Sequence, residues 1–269
     1  MSNANESQST WKSAFAAIVI PTAFVAAVCI YMFVLGNVKN FEGNDPEKGG
    51  PLNLLGTVHK GGFIVPVLIA VNLIILIFTV ERFITIQKAR GKGNIDKFIR
   101  NVRNLINNDQ LDAAITECDR QKGSVASVIR AGLSKYKLVM KETDVDKESK
   151  VTAIKQELEE ATALELPMLS KNLVILSTCA SISTLIGLIG TVLGMIRSFS
   201  AMSKAGAPDT TALSTGISEA LINTALGIIG SCIAIVFFNF FSTKIDSLTH
   251  GIDEAGFSVA STFAAKNAA

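Results

Sequence analysis

One run without any charged residue, residues 172–196, restricts the fold of this chain more than any other feature. Its 25 residues are enough to cross a lipid bilayer as a single α-helix. Three further stretches of 20 or more residues also lack Asp, Glu, Lys and Arg: 13–38, 61–80 and 220–243. The pattern predicts four transmembrane helices, and the expected fold class is an all-α integral membrane protein.

The third run also carries small and hydroxyl residues at helical spacing. They recur at offsets of four, three, four and three, which places them on one helix face: Ala180, Thr184, Gly187, Thr191 and Gly194. Small faces let helix backbones approach closely in lipid. Two interpretations stay open, because such a face can be a packing seam or its hydroxyls can line a narrow wet path.

The chain shows no pattern typical of an enzyme or a metalloprotein. His59 and His250 have no companions at metal-ligand spacing, and no nucleotide motif or nucleophile–base arrangement is present. None of the four cysteines belongs to a C-x-x-C pair: Cys29, Cys118, Cys179 and Cys232. We therefore expect no enzymatic activity, no metal site and no cofactor. The first apolar run lacks the flanks of a signal peptide and predicts a membrane anchor.

The distribution of basic residues predicts the orientation in the membrane. Residues 81–171 hold 17 Lys and Arg against 14 Asp and Glu, whereas the loops 37–60 and 198–218 hold three lysines and one lysine. The positive-inside rule places 81–171 in the cytoplasm, together with both termini. Glu81 and Arg82, at the end of the second run, predict a charge pair at the membrane interface.

Helical periodicity continues through the polar region, with predicted helices at 95–107, 110–120 and 124–136. From residue 146 the pattern runs into the third span with only Pro167 to interrupt it. A continuous helix over 146–199 would be roughly 80 Å long. The fourth span should likewise continue through Ser247. The predicted order is a first anchor span and loop (1–60), a second span (61–83), a cytoplasmic helical region (84–171), a two-span core (172–243) and a cytoplasmic C-terminal helix and tail (244–269).

Two segments of this core carry a family signature. Residues 187–199 read G-L-I-G-T-V-L-G-M-I-R-S-F, and residues 216–227 read G-I-S-E-A-L-I-N-T-A-L-G, followed by an aromatic–Asn–aromatic end. Together they resemble the paired signature of the MotA/TolQ/ExbB proton-channel family. The resemblance is closest to ExbB and TolQ and is weaker to MotA.

The resemblance places Glu219 and Thr224 at pore-associated positions. On an ideal helix these two residues lie roughly 140° apart, so both cannot face one narrow lumen, and we expect Glu219 at a subunit interface. Glu219 can alternatively be a helix N-terminal charge stabilised by the macrodipole. The predicted proton-path residues are Thr224, Glu219, Thr184, Ser183, Thr191 and Asn223. The predicted helix-packing residues are Gly187, Gly190, Gly194, Gly216 and Gly227.

The chain departs from the family pattern just before the glycine-rich motif. ExbB-like proteins usually carry Thr-Ala-Pro or Ser-Pro there, whereas this chain has Ile182, Ser183 and Thr184. The family's threonine aligns with Ile182, so we expect Ser183 or Thr184 to supply the hydroxyl.

The two core spans contain no carboxylate at mid-membrane depth. Hydroxyl and amide groups order water but do not hold and release a proton near neutral pH. The titrating group is therefore expected from another chain. The resemblance implies an ExbD-like partner with one membrane helix bearing an Asp, enclosed by a ring of usually five copies of this chain.

The function implied by the resemblance is an inner-membrane proton-channel and motor subunit that energises TonB-dependent outer-membrane transport, with a TonB-like protein as a further partner. A TolQ-like role, a gliding or flagellar-type stator and a non-conducting assembly scaffold stay open as alternatives. Independently, the small faces of both core spans predict a homo-oligomer, on the argument that one chain cannot satisfy both. No nucleic acid is expected as a partner.

Overall fold

The computed structural model describes residues 2–46, 49–141, 145–204 and 210–266. Within these residues the chain is helical, without a strand, and one isolated antiparallel bridge joins Phe41 to Pro51. The α-helices are α1 (Ser2–Cys29), α2 (Leu54–Lys60), α3 (Ile64–Arg90), α4 (Ile95–Asn107), α5 (Leu111–Gln121), α6 (Gly123–Val139), α7 (Lys147–Ser170), α8 (Leu173–Lys204) and α9 (Thr210–Lys266).

Four helical stretches of the described chain are long and apolar enough to cross a membrane. Their mean hydropathies lie between 2.1 and 2.6, and each overlaps one of the four charge-free runs. The predicted all-α, four-span membrane fold is confirmed. The three helices predicted in the polar region are also confirmed as α4, α5 and α6, with bounds that differ by at most three residues.

The chain divides into two compact units. The first, here called the membrane unit, comprises Met1–Val80 and Val174–Phe238, and the second, here called the polar unit, comprises Glu81–Leu173 and Asn239–Ala269. Each unit is therefore built from segments that are far apart in the sequence.

The membrane unit brings α1 and α3 into contact. Ala23 and Ala27 of α1 are buried, and the ring of Phe15 meets the ring of Phe78 edge-on at 5.8 Å between centroids. A π-helical turn, Ile30–Leu35, ends the first span. Tyr31 then donates a hydrogen bond of 3.1 Å to the backbone carbonyl of His59, which fixes the connecting segment to the end of this span.

The polar unit has its own core, built from α4 to α7 and the C-terminal part of α9. On α4 the apolar residues recur on one buried face at the period of a helix: Phe98, Ile99, Val102 and Ile106. The ring of Tyr136 on α6 meets the ring of Phe263 on α9 edge-on at 4.6 Å. Both rings are almost fully buried, so α9 contributes to this core as well as to the membrane unit.

The predicted continuous helix over 146–199 is wrong. Helix α7 ends at Ser170 and α8 begins at Leu173, while Pro167 lies inside α7. The backbone of Asn172 adopts a left-handed conformation with φ of +65°. Asparagine tolerates this conformation better than most residues, which explains why the helix breaks there rather than at the proline.

The predicted charge pair forms between Glu81 and Arg82, and it lies in the polar unit. Arg82 is 2% exposed, and its guanidinium donates hydrogen bonds of 2.6 and 2.5 Å to the carboxylate of Glu81. It also donates a bond of 3.1 Å to the backbone carbonyl of Leu169. Thr85 and Asn172 donate to the same carboxylate. The pair thereby links α3 to the last turn of α7 and to the helix break.

Replacing Arg82 with methionine should destabilise the protein by about 3 kcal/mol, because the substitution leaves the Glu81 carboxylate without its cation in a mostly buried site. Arg120→Met is the matched control. Its ion pair with Glu117 is a surface contact in which the arginine is 75% exposed, and such pairs contribute less than about 1 kcal/mol. Thermal unfolding in detergent, followed by size-exclusion chromatography, compares the two variants. Equal midpoints would contradict the structural role of Arg82.

Candidate functional site: the seam between α8 and α9

The two core spans approach each other closely at glycines. A Cβ atom placed on Gly227 would lie 2.6 Å from the carbonyl oxygen of Ser183 and 3.0 Å from the Cα of Gly187. A Cβ on Gly187 would lie 2.9 Å from the carbonyl oxygen of Asn223. These neighbours are backbone atoms, so the contact leaves no room for a side chain at either glycine.

The close approach extends along the seam at the other predicted packing residues. A Cβ on Gly190 would lie 2.6 Å from the Cβ of Asn223, and one on Gly194 would lie 2.7 Å from the Cβ of Ala220. Gly216 faces the side chain of Ser198 in the same way. The small faces of α8 and α9 therefore pack against each other within one chain.

This packing overturns the argument that one chain cannot satisfy both small faces. The small faces of α8 and α9 are therefore already covered within one chain, whereas other faces of the two helices stay exposed. The exposed large side chains of the two helices include Leu185, Leu188, Val192, Leu221, Ile228 and Val236.

A pair of hydroxyls lies within the seam. The side chains of Thr191 and Thr224 hydrogen-bond to each other across the two helices. Thr191 is also within 3.3 Å of the carbonyl oxygen of Ala220, and Thr224 within 3.3 Å of that of Gly187. Both residues are half-buried. The seam thus holds a local group of hydroxyl and carbonyl oxygens that can order water.

Asn223 and Ser183 are buried on either side of this pair. Asn223 is 2% exposed and donates a hydrogen bond of 3.0 Å to the carbonyl of Gly61, while its Oδ1 has no partner among the described residues. Ser183 is fully buried, and its hydroxyl likewise has no partner in the described chain. A Cβ on Gly230 would lie 2.6 Å from this hydroxyl and 2.8 Å from the Oδ1 of Asn72.

Thr184 does not join the seam. It is exposed, as is Ile182, whereas Ser183 between them faces the interior. Of the two hydroxyls that could replace the family's threonine, only Ser183 lies among the packed helices. Helical spacing places Thr184 on the small face of an isolated α8. The face of α8 that packs against α9 is rotated slightly from this one, so Thr184 stays exposed.

Glu219 belongs to a separate, charged group at the beginning of the fourth span. It is partly buried, and the positive charges of Lys60 and Arg197 act on it. The guanidinium of Arg197 stacks over the ring of Phe63 at 5.1 Å. Sequence reasoning missed Lys60, Arg197 and Asn72. Asn72 could have been noticed, since it is a lone amide in the second charge-free run. Nothing in the sequence indicated that Lys60, Asn72 and Arg197 lie near the predicted proton-path residues.

Comparison with known proteins identifies the family. Residues 120–254, half of the 269-residue chain, match the sequence model of the MotA/TolQ/ExbB proton channel family. This chain belongs to the MotA/TolQ/ExbB family. The matched residues include the whole α8–α9 seam, whereas α1, α2 and α3 precede them. Asn72, which lies next to Gly230, and Lys60, whose charge acts on Glu219, therefore lie outside the residues that match the family.

Individual members of the MotA/TolQ/ExbB family resemble parts of the chain. The putative biopolymer transport protein ExbB-like 3 of Synechocystis sp. is 39% identical over 92 residues, 34% of this chain and 44% of its own length. The Tol-Pal system protein TolQ of Pseudomonas aeruginosa is 29% identical over 136 residues, 48% and 59% of the two chains. The biopolymer transport protein ExbB of Salmonella typhimurium is 36% identical over 72 residues, 27% and 30%. The matches thus span about a third to three fifths of these relatives.

Proposed function

We propose that this chain is an ExbB-like proton-channel and motor subunit of a bacterial inner membrane. With an ExbD-like partner, it uses the proton motive force to energise TonB-dependent transport across the outer membrane. The observation that carries this proposal is the Thr191–Thr224 hydroxyl pair in a seam that lies wholly within the family-defining residues.

The chemistry of the seam explains why a partner is needed. Its side chains are hydroxyls and amides, which order water but do not titrate near neutral pH. The core spans themselves carry no carboxylate between residues 220 and 243. An aspartate on the partner's single membrane helix supplies the titrating group, and an ionisable residue at that depth costs at least about 2.5 kcal/mol unless its surroundings are polar. The hydroxyl pair provides such surroundings.

The oligomer that encloses the partner helix in this proposal is a homopentamer. Because α8 and α9 use their small faces within the chain, copies associate through the exposed apolar sides of these two helices. The orientation follows the basic residues, with residues 81–171 and both termini in the cytoplasm. In this arrangement Glu219, near the outer end of the fourth span, lies at the contact between subunits.

A TolQ-like role is the second candidate. The match to TolQ of Pseudomonas aeruginosa extends over 48% of this chain, which is further than either ExbB match given above. The two roles share the proton-driven mechanism and differ in the protein system that the motor drives. A gliding or flagellar-type stator shares the mechanism as well.

A reconstitution experiment tests the proposal. The chain is purified with the single-span, Asp-bearing protein encoded beside its gene, placed in liposomes, and assayed for proton flux under an imposed pH gradient. We expect flux only when both proteins are present, and native mass spectrometry should show several copies of this chain per complex. Absence of flux from an intact complex would leave the non-conducting scaffold as the better description. Monomers alone would contradict the ring.

Growth assays distinguish the two proton-driven roles. In a strain whose own copy of the gene is deleted, an ExbB-like subunit restores uptake of substrates that need TonB. A TolQ-like subunit restores resistance to detergents instead. Restoration of detergent resistance without restoration of uptake would contradict the TonB-dependent role and favour the Tol-type role.

A further inference from the structure

The polar unit contains a cavity of about 530 Å³ that the channel function does not use. It lies among the last turns of α3, the end of α5, the first turns of α6, and α7. Its size falls within the range of roughly 300–1,000 Å³ that is usual for small-molecule sites. The charged and hydroxyl side chains that line it are Lys88, Asp119, Lys122, Ser124, Ser127, Arg130 and Glu165. We propose that this cavity binds a phosphate group, carried by a free phosphate compound or by a phospholipid headgroup.

The beginning of α6 provides the first part of the site. This helix has 17 residues, and its N-cap, Lys122, makes no side-chain capping bond. The first N–H groups of an uncapped helix lack partners and carry a positive partial charge, which suits an oxyanion. Gly123, Ser124 and Ala126 of this first turn line the cavity, and Ala126 is 1% exposed, so a ligand in the cavity lies next to the beginning of the helix.

Ser124 provides a second and independent indication of a ligand. It is 6% exposed and lines the cavity, and its hydroxyl has no hydrogen-bond partner among the residues that the structure describes. Because Ser124 lines the cavity and its hydroxyl bonds no group of the described chain, this hydroxyl is available to donate to an acceptor bound there. A phosphate oxygen is such an acceptor.

The charges around the cavity select the kind of anion. Asp119 is already paired with Arg130 at 2.8 Å, which leaves its charge balanced. Lys88 and Lys122 form no ion pair within the described residues, and Glu165 is the one unpaired acid among the side chains named above. Two free ammonium groups and a helix N-terminus favour an anion, while Glu165 opposes a polyphosphate. The site therefore fits a ligand with a single phosphate group.

Binding can be measured on the full-length chain in detergent. Inorganic phosphate is titrated in buffers of matched ionic strength, and the thermal unfolding midpoint gives the affinity because a ligand of the folded state raises it. We expect Lys88→Gln combined with Lys122→Gln to weaken phosphate binding about tenfold or more, since hydrogen bonds to charged groups are worth about 1.5–3 kcal/mol. Ser124→Ala should weaken it several-fold. Lys97→Gln removes the same charge from an exposed position of α4 outside the cavity and should have no effect.

A second variant separates lost binding from lost folding. Ser127→Asp places a negative charge at an exposed position beside the cavity, in the second turn of α6. An acid near a helix N-terminus stabilises the helix, so this variant should unfold no earlier than the wild type without phosphate and should respond to phosphate far less. An equal rise of the unfolding midpoint with phosphate in the wild type, the double lysine variant, Ser124→Ala and Ser127→Asp would overturn the proposal.

The two sources of the phosphate group are distinguished by a lipid arm. Native mass spectrometry of the wild type and the double lysine variant, in micelles doped with phosphatidylglycerol, counts the lipids that stay bound. One lipid fewer on the double variant, without a response to inorganic phosphate, assigns the site to a headgroup. A response to inorganic phosphate without that difference assigns it to a soluble phosphate compound. The absence of both signals would overturn the proposal. Neither measurement depends on proton flux.

Discussion

Gly227→Leu should prevent the membrane unit from folding. Even a methyl group at this position would lie 2.6 Å from the carbonyl oxygen of Ser183 and 3.0 Å from the Cα of Gly187. Both are backbone atoms of α8 and cannot rotate away, so the two helices would have to separate along the whole seam. We expect a loss of at least about 3 kcal/mol, at the upper end of overpacking effects. Gly187→Leu should behave in the same way.

Gly256→Leu is the matched control, because it makes the same change on the same helix in open space. A Cβ on Gly256 would meet only the side chain of Leu158 at 3.7 Å, and Gly256 lines a cavity of about 410 Å³ in the polar unit. Replacing glycine within a helix otherwise stabilises it by up to about 1 kcal/mol, which makes a loss at Gly227 easy to recognise. The yield of monodisperse protein after detergent extraction is the measurement. Equal yields of the two variants would rule out the seam as a packing requirement.

The membrane fold could be predicted from the sequence because its signal is local. Each span is a contiguous run without charge, and lipid leaves a chain few ways to satisfy its backbone except as a helix. The amphipathic pattern of α4 is equally local, and its predicted bounds agree with those observed. Gly187 and Gly194 of the seam were identified for the same reason, since 3.6-residue spacing within one helix is visible in the sequence.

Contacts between distant segments could not be predicted. The hydrogen bond from Arg82 to Leu169, 87 residues later, has no signal in the sequence. The same holds for the bond from the Asn223 amide to Gly61, 162 residues away. The left-handed Asn172 gives no sequence signal beyond its residue type. The oligomer argument from small faces was wrong for a related reason, because periodicity identifies a packing face but not the helix that covers it.

Thr224→Val should abolish proton-driven uptake while leaving the complex assembled. Threonine and valine have similar shapes, so the substitution keeps the packing against Gly187 and removes only the hydroxyl that bonds Thr191. A lost hydrogen bond within a membrane is worth about 0.6–2 kcal/mol, which is too little to unfold a four-span chain. The same loss removes one of the groups that would order water beside the partner's carboxylate.

The control variants define what the result means. Thr243→Val removes a hydroxyl from the same helix that bonds only the backbone of Asn239, and it should keep full uptake. If the two seam hydroxyls act as one unit, Thr191→Val should cause the same loss of uptake as Thr224→Val. The double variant should then be no worse than either single variant, because the effects of substitutions at residues in direct contact are not additive. Glu219→Gln should reduce uptake less, because Glu219 lies in a separate group with Lys60 and Arg197 and not among the seam hydroxyls. Uptake is measured in a strain that lacks the wild-type gene, after native mass spectrometry has shown that each variant retains its single-span partner. Full uptake by Thr224→Val in an intact complex would remove the hydroxyl pair from the mechanism, and the seam would then be a packing surface only.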